Sequence, residues 1–253
     1  MNYGISILSI IPVRLEPNDR SEMTTQLIFG EHFIILESIK KWSKIQIAHD
    51  KYVGWISNNQ IQEIDFEEYE KLDKEIPTLS TDILDIIEGD FNQPIVIGSV
   101  LPTFKSDHAL INNKMYKFTG NTTQGFSQKK HLINNAMVFL NAPYLWGGRT
   151  PFGIDCSGFT QIIYRLQGIK IPRDAYQQID LGQEINLDNC EEGDLAFFEN
   201  KSGKITHVGL ILENNKIIHA SGQVRIDKLD EKGIFNPEKQ KYSHKLNSIK
   251  KLI

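Results

Sequence analysis

Cysteine is scarce: Cys156 and Cys190 are the two in 253 residues. Secreted disulfide frameworks use more, so a reducing, cytoplasmic setting with both thiols free is expected. No apolar run is long enough to span a bilayer, so no membrane partner is expected. The apolar stretch Ile5–Val13 has no basic residue before it and no small-residue cleavage site before Arg14 and Glu16. It reads as a strand entering a domain rather than as a signal core. An excess of positive charge is also missing. With 28 basic and 32 acidic residues the net charge is −4, which argues against nucleic acid as a partner. Low-complexity segments are lacking, and Cys and His are not clustered at zinc-ligand spacings, so neither a metal nor a cofactor is expected.

What is present is ordinary globular material, 40% hydrophobic and 24% charged, enough for a sizeable core and too apolar for a disordered chain. Charge divides unevenly. Residues 1–126 hold 11 basic and 18 acidic residues (−7), and 127–253 hold 17 and 14 (+3), which hints at separate modules. Residues 1–65 read as a small all-β domain: short apolar runs alternate with turn residues at Pro17-Asn18-Asp19, Gly30, His49-Asp50 and Gly54. Residues 66–126 read as a linker or short helix (Asp65 to Lys74) and then a second β pattern. Residues 127–253 read as α+β. Helical spacing covers Lys129–Leu140 and Cys156–Leu166, and strand runs follow at Leu195–Phe198, His207–Leu212 and Lys216–Ala220. Asn214-Asn215 reads as a two-residue hairpin turn, which pairs His219 with Leu210 and leaves His207 and His219 needing a bulge or another register to touch.

Cys156 opens a helix after a glycine-rich loop. Unpaired amides and the positive end of the helix dipole favour a thiolate there, and a nearby imidazole would complete a nucleophile. Its neighbours, Asp155, Ser157 and Gly158, make poor core filling. His207 and His219 lie on successive strands and suit a base and an orienting partner. Cys190 sits in a polar run with no such context and reads as non-catalytic. His32, His49, His108, His131 and His244 show no ligand-like spacing.

The segments YLWGGRTPFGIDCSGF, PRDAYQQ, EEGDLAFF, HVGLIL and IIHASG, in that order over 127–253, resemble the NlpC family of bacterial cell-wall cysteine peptidases. The resemblance implies a papain-like core with Cys156 as nucleophile, His207 as base and His219 as the orienting third residue. It implies as substrate the peptide stem of peptidoglycan, cut at the γ-D-glutamyl bond to the diamino acid. VRLEPNDRSE, QLIFGE and KYVGWI resemble a bacterial SH3-like domain, and 66–126 is read as a second one. The fold expected is therefore a papain-like peptidase domain preceded by one or two small all-β SH3-like barrels.

This combination is similar to the murein-recycling branch, which acts on free stem peptides with an unblocked L-Ala amine. That branch implies Tyr52 and Asp174 as the groups that meet the amine, the SH3-like domain blocking the cleft. One departure is visible: the family's R-D-S reads R-D-A here, with Ala175 in place of the serine. Asp155 and Ser157 hold substrate, or Asp155 caps the helix. Arg173 and Asp174 either serve the substrate or are plain structural charges. Tyr144 is a candidate oxyanion donor with the Cys156 amide, and Trp146 is a cleft wall or a packing residue. Two rival readings remain at this level, a secreted endopeptidase on intact peptidoglycan and a non-catalytic peptidoglycan-binding protein. A cysteine acyltransferase on the same fold is a third.

Overall fold

The computed structural model describes residues 1–126, 129–237 and 239–253. The chain divides into two compact units, Met1–Phe126 and Ser127–Ile253. The residue expected to begin the last domain, 127, lies outside the described residues.

In the first unit, alternating apolar residues build an antiparallel sheet of seven strands. Their spatial order is Met23–Ile28, Ile10–Arg14, Val53–Ser57, Trp42–Ile47, His32–Ile39, Asn2–Ile5 and Gln62–Ile64. Ile11, Val13, Leu27, Phe33, Ile45, Ile47 and Ile56 form its core. A helix follows at Phe66–Lys74. Asp65 starts it by accepting from the Glu68 amide at 2.8 Å. Two small sheets complete the unit, one of four strands and one of three. Ile5 and Phe29 from the first sheet cluster with Tyr69 and Leu72 of the helix and with Ile87, Ile95, Leu101 and Phe118. The Val100 amide donates to the Phe29 carbonyl at 2.8 Å, beside Gly30.

Gly30 has φ +78°, and a Cβ there would stand 2.1 Å from the Val100 carbonyl oxygen, a backbone atom that cannot swing aside. Gly30→Ala is expected to cost at least ~2 kcal/mol in the denaturant unfolding of this unit. Gly125→Ala is the comparison: φ is +68°, but the nearest atom to its Cβ is Ile76 Cγ2 at 3.8 Å. That variant should lose only the conformational cost, about 1 kcal/mol. Equal losses would show that the close approach to Val100 does not matter.

The second unit begins with a helix at Lys129–Val138. A short antiparallel pair follows, Arg149–Thr150 with Gly153–Ile154, then the helix Cys156–Leu166 and the helical turn Ala175–Gln178. Six antiparallel strands then close on themselves: Leu195–Glu199, Ile205–Leu212, Lys216–Ser221, Gln223–Asp230, Gly233–Asn236 and Lys241–Lys251. The last pairs with both the first and the fifth, and also carries Gln183–Ile185 on its length. Ala196, Phe198, Ile211, Ile217, Leu229, Ile234 and Ile249 cluster as one core. The helix Cys156–Leu166 is buried along its whole length and packs on the second and third strands. Among the described residues no helix is long and apolar enough to cross a membrane.

Candidate active site

Asp155 decides how the helix begins. Its Oδ1 accepts from the Gly158 amide at 2.7 Å, the usual way to satisfy an unpaired helix donor, and Cys156 becomes the first helical residue. Its Oδ2 accepts from the Gly147 amide at 2.8 Å, which draws the glycine-rich loop against the helix start. Arg173 closes the arrangement with two parallel hydrogen bonds, Nη1 to Oδ1 at 3.0 Å and Nη2 to Oδ2 at 2.6 Å. Arg173 also donates to Ser157 Oγ at 2.9 Å, and that hydroxyl reaches Asp155 Oδ1 at 3.3 Å. All three side chains are buried. Of the two readings open for Asp155, the capping contact is therefore present. Gln178 joins the Thr160 hydroxyl (2.7 Å) and the Ser157 carbonyl (3.0 Å), fastening the Ala175–Gln178 turn to the same helix.

Cys156 is buried, 5% exposed, and the backbone at Val208 and Ser157 lies close enough to its thiol to favour the charged form. The Val208 contact places the thiol beside the strand residue that follows His207. The expected depression of the thiol is not what results. Burial pushes it up to about 12, and the Asp155 carboxylate adds to the rise. Those backbone groups and Arg173 pull the other way and lose. The thiol therefore rests protonated. Tyr144 is half-buried, and its phenol, raised to about 12 by burial and by the nearby Cys156 and Asp155, stays a hydrogen-bond donor. Trp146 is 58% exposed on the loop. Asp174 is half-buried at the start of the Ala175–Gln178 turn, where its amide donates to Gln177 Oε1 at 3.2 Å. Tyr52 belongs to the first unit and packs against that unit's core.

The hairpin register differs from the expected one. Leu210 pairs with Ile218 and Leu212 with Lys216, a shift of one residue from the two-residue turn. Both Asn214 and Asn215 have positive φ, 59° and 53°. A one-residue shift moves a side chain to the other face of a sheet. His219 therefore shares the face of His207 and Gly209 instead of opposing it, and no bulge is needed. Gly209 leaves the room: a Cβ there would be 2.8 Å from His219 Cβ. His207 Nε2 and His219 Nδ1 are 2.8 Å apart.

Strand alternation puts these histidines on the same face as Ile211 and Ile217, and Asp227 on the face of Leu229. All are the polar continuation of the barrel core. His219 Nε2 lies 3.1 Å from Asp227 Oδ2. Arg225 grips that carboxylate through Nε at 2.8 Å and Nη2 at 3.0 Å. His244, paired with Ile234 on the closing strand, stacks on His207 with ring centroids 4.1 Å apart and planes 21° apart. Sequence reasoning passed over Asp227 and Arg225 and set His244 aside for want of ligand-like spacing, whereas the fold brings it against His207 and His219. The alternation Arg225, Asp227, Leu229 was a usable signal for one shared face; nothing local announced His244.

Burial holds His207 and His219 neutral, both lowered from the ordinary imidazole value, and lowers His244 to about 4. One nitrogen from each of the three lies within 4.8 Å of the others. That spacing would suit a metal ion, which the sequence did not lead one to expect, and one hydrogen bond joins His207 Nε2 to His219 Nδ1. Cys190, free and half-buried, packs beside the barrel core.

The three depressed imidazoles set an acid limit on stability. Below pH 6.5 the unfolded chain binds protons that the folded unit refuses, so stability is full above pH 6.5 and falls as pH drops toward about 4. The calorimetric midpoint of this unit should decline over that window. His244→Phe, which keeps a ring in place, should make the decline shallower; an unchanged slope would remove His244 from the account.

The NlpC/P60 family matches residues 141–241, and the bacterial dipeptidyl-peptidase Sh3 domain matches residues 13–61. A gamma-D-glutamyl-L-lysine dipeptidyl-peptidase of Bacillus subtilis (strain 168) is 29% identical over 223 residues, covering 78% of this chain and 71% of that protein. Dipeptidyl-peptidase 6 of Lysinibacillus sphaericus is 25% identical, covering 90% of this chain and 92% of that protein. The crystal structure of an NlpC/P60 family protein from Bacillus cereus ATCC 10987 superposes with a TM-score of 0.85 at 21% identity, over 99% of each chain, which shows a shared fold.

Proposed function

We propose, for a chain that carries an NlpC/P60 cysteine peptidase domain and a bacterial dipeptidyl-peptidase SH3 domain, that the reaction is hydrolysis of the γ-D-glutamyl–diamino acid bond in free peptidoglycan stem peptides. The substrate's N-terminal L-Ala amine is unblocked, and L-Ala-D-Glu is released. The observation that carries the chemistry is a thiol at the first turn of a helix that packs on the strand bearing His207, with His207 joined to His219 at 2.8 Å. The substrate is supported by relatives named for dipeptidyl-peptidase action that run along 78% and 90% of this chain.

The steps follow from the protonation states. Thiol and imidazole both rest neutral, so the proton of Cys156 passes to His207 as the sulfur attacks the γ-glutamyl carbonyl. The oxyanion takes hydrogen bonds from the Cys156 amide, free at a helix start, and from the protonated Tyr144 hydroxyl. His207 returns its proton to the departing amine of the diamino acid. It then removes one from water, which hydrolyses the thioester. His219 fixes the ring of His207 throughout.

Asp155, Arg173 and Ser157 hold the loop and helix around the glutamyl group through their own hydrogen bonds. Trp146 lines the substrate's path, and Asp174 supplies the carboxylate that a desolvated ammonium requires. Tyr52 is carried into this reading only by the resemblance to the recycling branch, which implies it in recognition of a free amine. Ala175 cannot supply the hydroxyl of the family's serine, and Ser157 stands as the remaining hydroxyl. Such recycling belongs in the cytoplasm, where free thiols stay reduced.

The test is mass spectrometry of products from L-Ala-γ-D-Glu-L-Lys, its meso-diaminopimelate counterpart, and N-acetylated forms of both. Free peptides should yield L-Ala-D-Glu and acetylated ones should not. Cys156→Ala should fold and lose roughly a thousandfold or more in kcat/KM. Asp174→Asn and Tyr52→Phe should narrow the preference for the free amine. Equal cleavage of free and acetylated peptides would overturn amine recognition and favour action on intact peptidoglycan. No cleavage of any of them would overturn the assigned substrate.

A further inference from the structure

We infer that Asp227 is a positioning residue for the reaction, setting the tautomer of His219 and, through it, that of His207, with Arg225 holding the carboxylate in place. The inference rests on the reading of His207 as the base. It follows from counting donors along one line of hydrogen bonds: Asp227 Oδ2 to His219 Nε2 at 3.1 Å, then His219 Nδ1 to His207 Nε2 at 2.8 Å.

A carboxylate can only accept, so His219 must carry its proton on Nε2. A neutral His219 then presents a lone pair at Nδ1. His207 must donate from Nε2, which leaves the Nδ1 lone pair of His207 for the thiol proton. With the opposite tautomer, His207 would present N–H to the reaction and could not act as a base.

Among the described residues, the charged and titratable groups named next support this direction. On its own strand Arg225 gives Asp227 two hydrogen bonds, keeping it ionised, and together with His219 it lowers that carboxyl below its ordinary value despite burial. From the adjacent strand His219 is neutral, and from the strand beyond it so is His207. From the closing strand His244 is neutral at ordinary pH and restrains the His207 ring by stacking. When His207 accepts the thiol proton, its Nε2–H bond to His219 strengthens, and the fixed negative charge at Asp227 stabilises the new imidazolium. No further proton moves, and Asp227 stays a carboxylate.

Asp227→Asn keeps the shape but not the logic. The amide has one acceptor and one donor end facing the two-pronged Arg225 and His219, so one of them must meet a donor. Where the amide nitrogen turns to His219, both tautomers invert. For the full chain acting on L-Ala-γ-D-Glu-L-Lys, kcat is expected to fall about a hundredfold with KM little changed. Iodoacetamide labelling of the Cys156 peptide should slow near neutral pH, with its midpoint moved to higher pH. Nitrogen NMR of the wild-type imidazoles should find both His207 and His219 protonated on Nε2, a readout that needs no variant to fold.

Wild-type kcat and labelling in Asp227→Asn, or His207 protonated on Nδ1 in the wild-type protein, would overturn the inference. Cys156→Ala and His207→Ala run alongside. If both abolish turnover and Asp227→Asn does not, this inference alone falls. If either keeps turnover, the reading of the base falls, and this inference with it.

Discussion

One buried ion pair organises the thiol end of the site. The Asp155 carboxylate gathers the Gly147 loop, the first turn of the Cys156 helix and the Arg173 segment through hydrogen bonds of 2.6 to 3.0 Å. Taking two such charges out of water is expensive, and only close bidentate geometry with extra backbone donors offsets it. The arrangement has a chemical side effect. The same negative charge that fixes the helix start helps to keep the neighbouring thiol protonated. Placement of the sulfur wins over its acidity, and in the proposed reaction the thiol proton passes to the imidazole.

That imidazole is held from the other direction by the barrel. Its interior is apolar along most of its length, and at one end Ile211, Ile217 and Leu229 give way, two residues away or further along the same faces, to His207, His219 and Asp227. A polar line in such a place is tolerable because each member has a partner and because Arg225, at the margin, is part-exposed. Gly209 matters here by what it lacks. The bare backbone lets the His219 side chain occupy the space between two strands.

Much of this was legible in the sequence wherever the determinant was local. The spacing of Phe159, Ile162, Ile163 and Leu166 marks the helix Cys156–Leu166, and the strand runs after Asp194 stand where alternation places them. Cys156, His207 and His219 could be singled out as candidates because glycine-rich loop, helix start and strand ends each carry their own pattern. What could not be read is pairing. The register of His219 turned on whether the chain reverses in two residues or in three, and both versions use the same asparagines. His244 reaches the site only because the closing strand pairs back onto the first strand of the ring, whereas Asp227 arrives on the hairpin partner of the His219 strand. In the first unit, likewise, no local pattern says that Phe29 and Leu101 share one core.

The ring closes through Lys241–Lys251, which bonds to Leu195–Glu199 on one side and Gly233–Asn236 on the other. A chain made from its N-terminus produces this strand after every other strand it touches. Until then two sheet edges stand open, each a template for stray pairing with another chain. The ring that stacks on His207 is also still missing. Shielding of the edges and completion of the histidine cluster are thus a single event in the biosynthesis of the molecule, so a half-made chain is exposed to aggregation at the same stage at which its chemistry is unfinished.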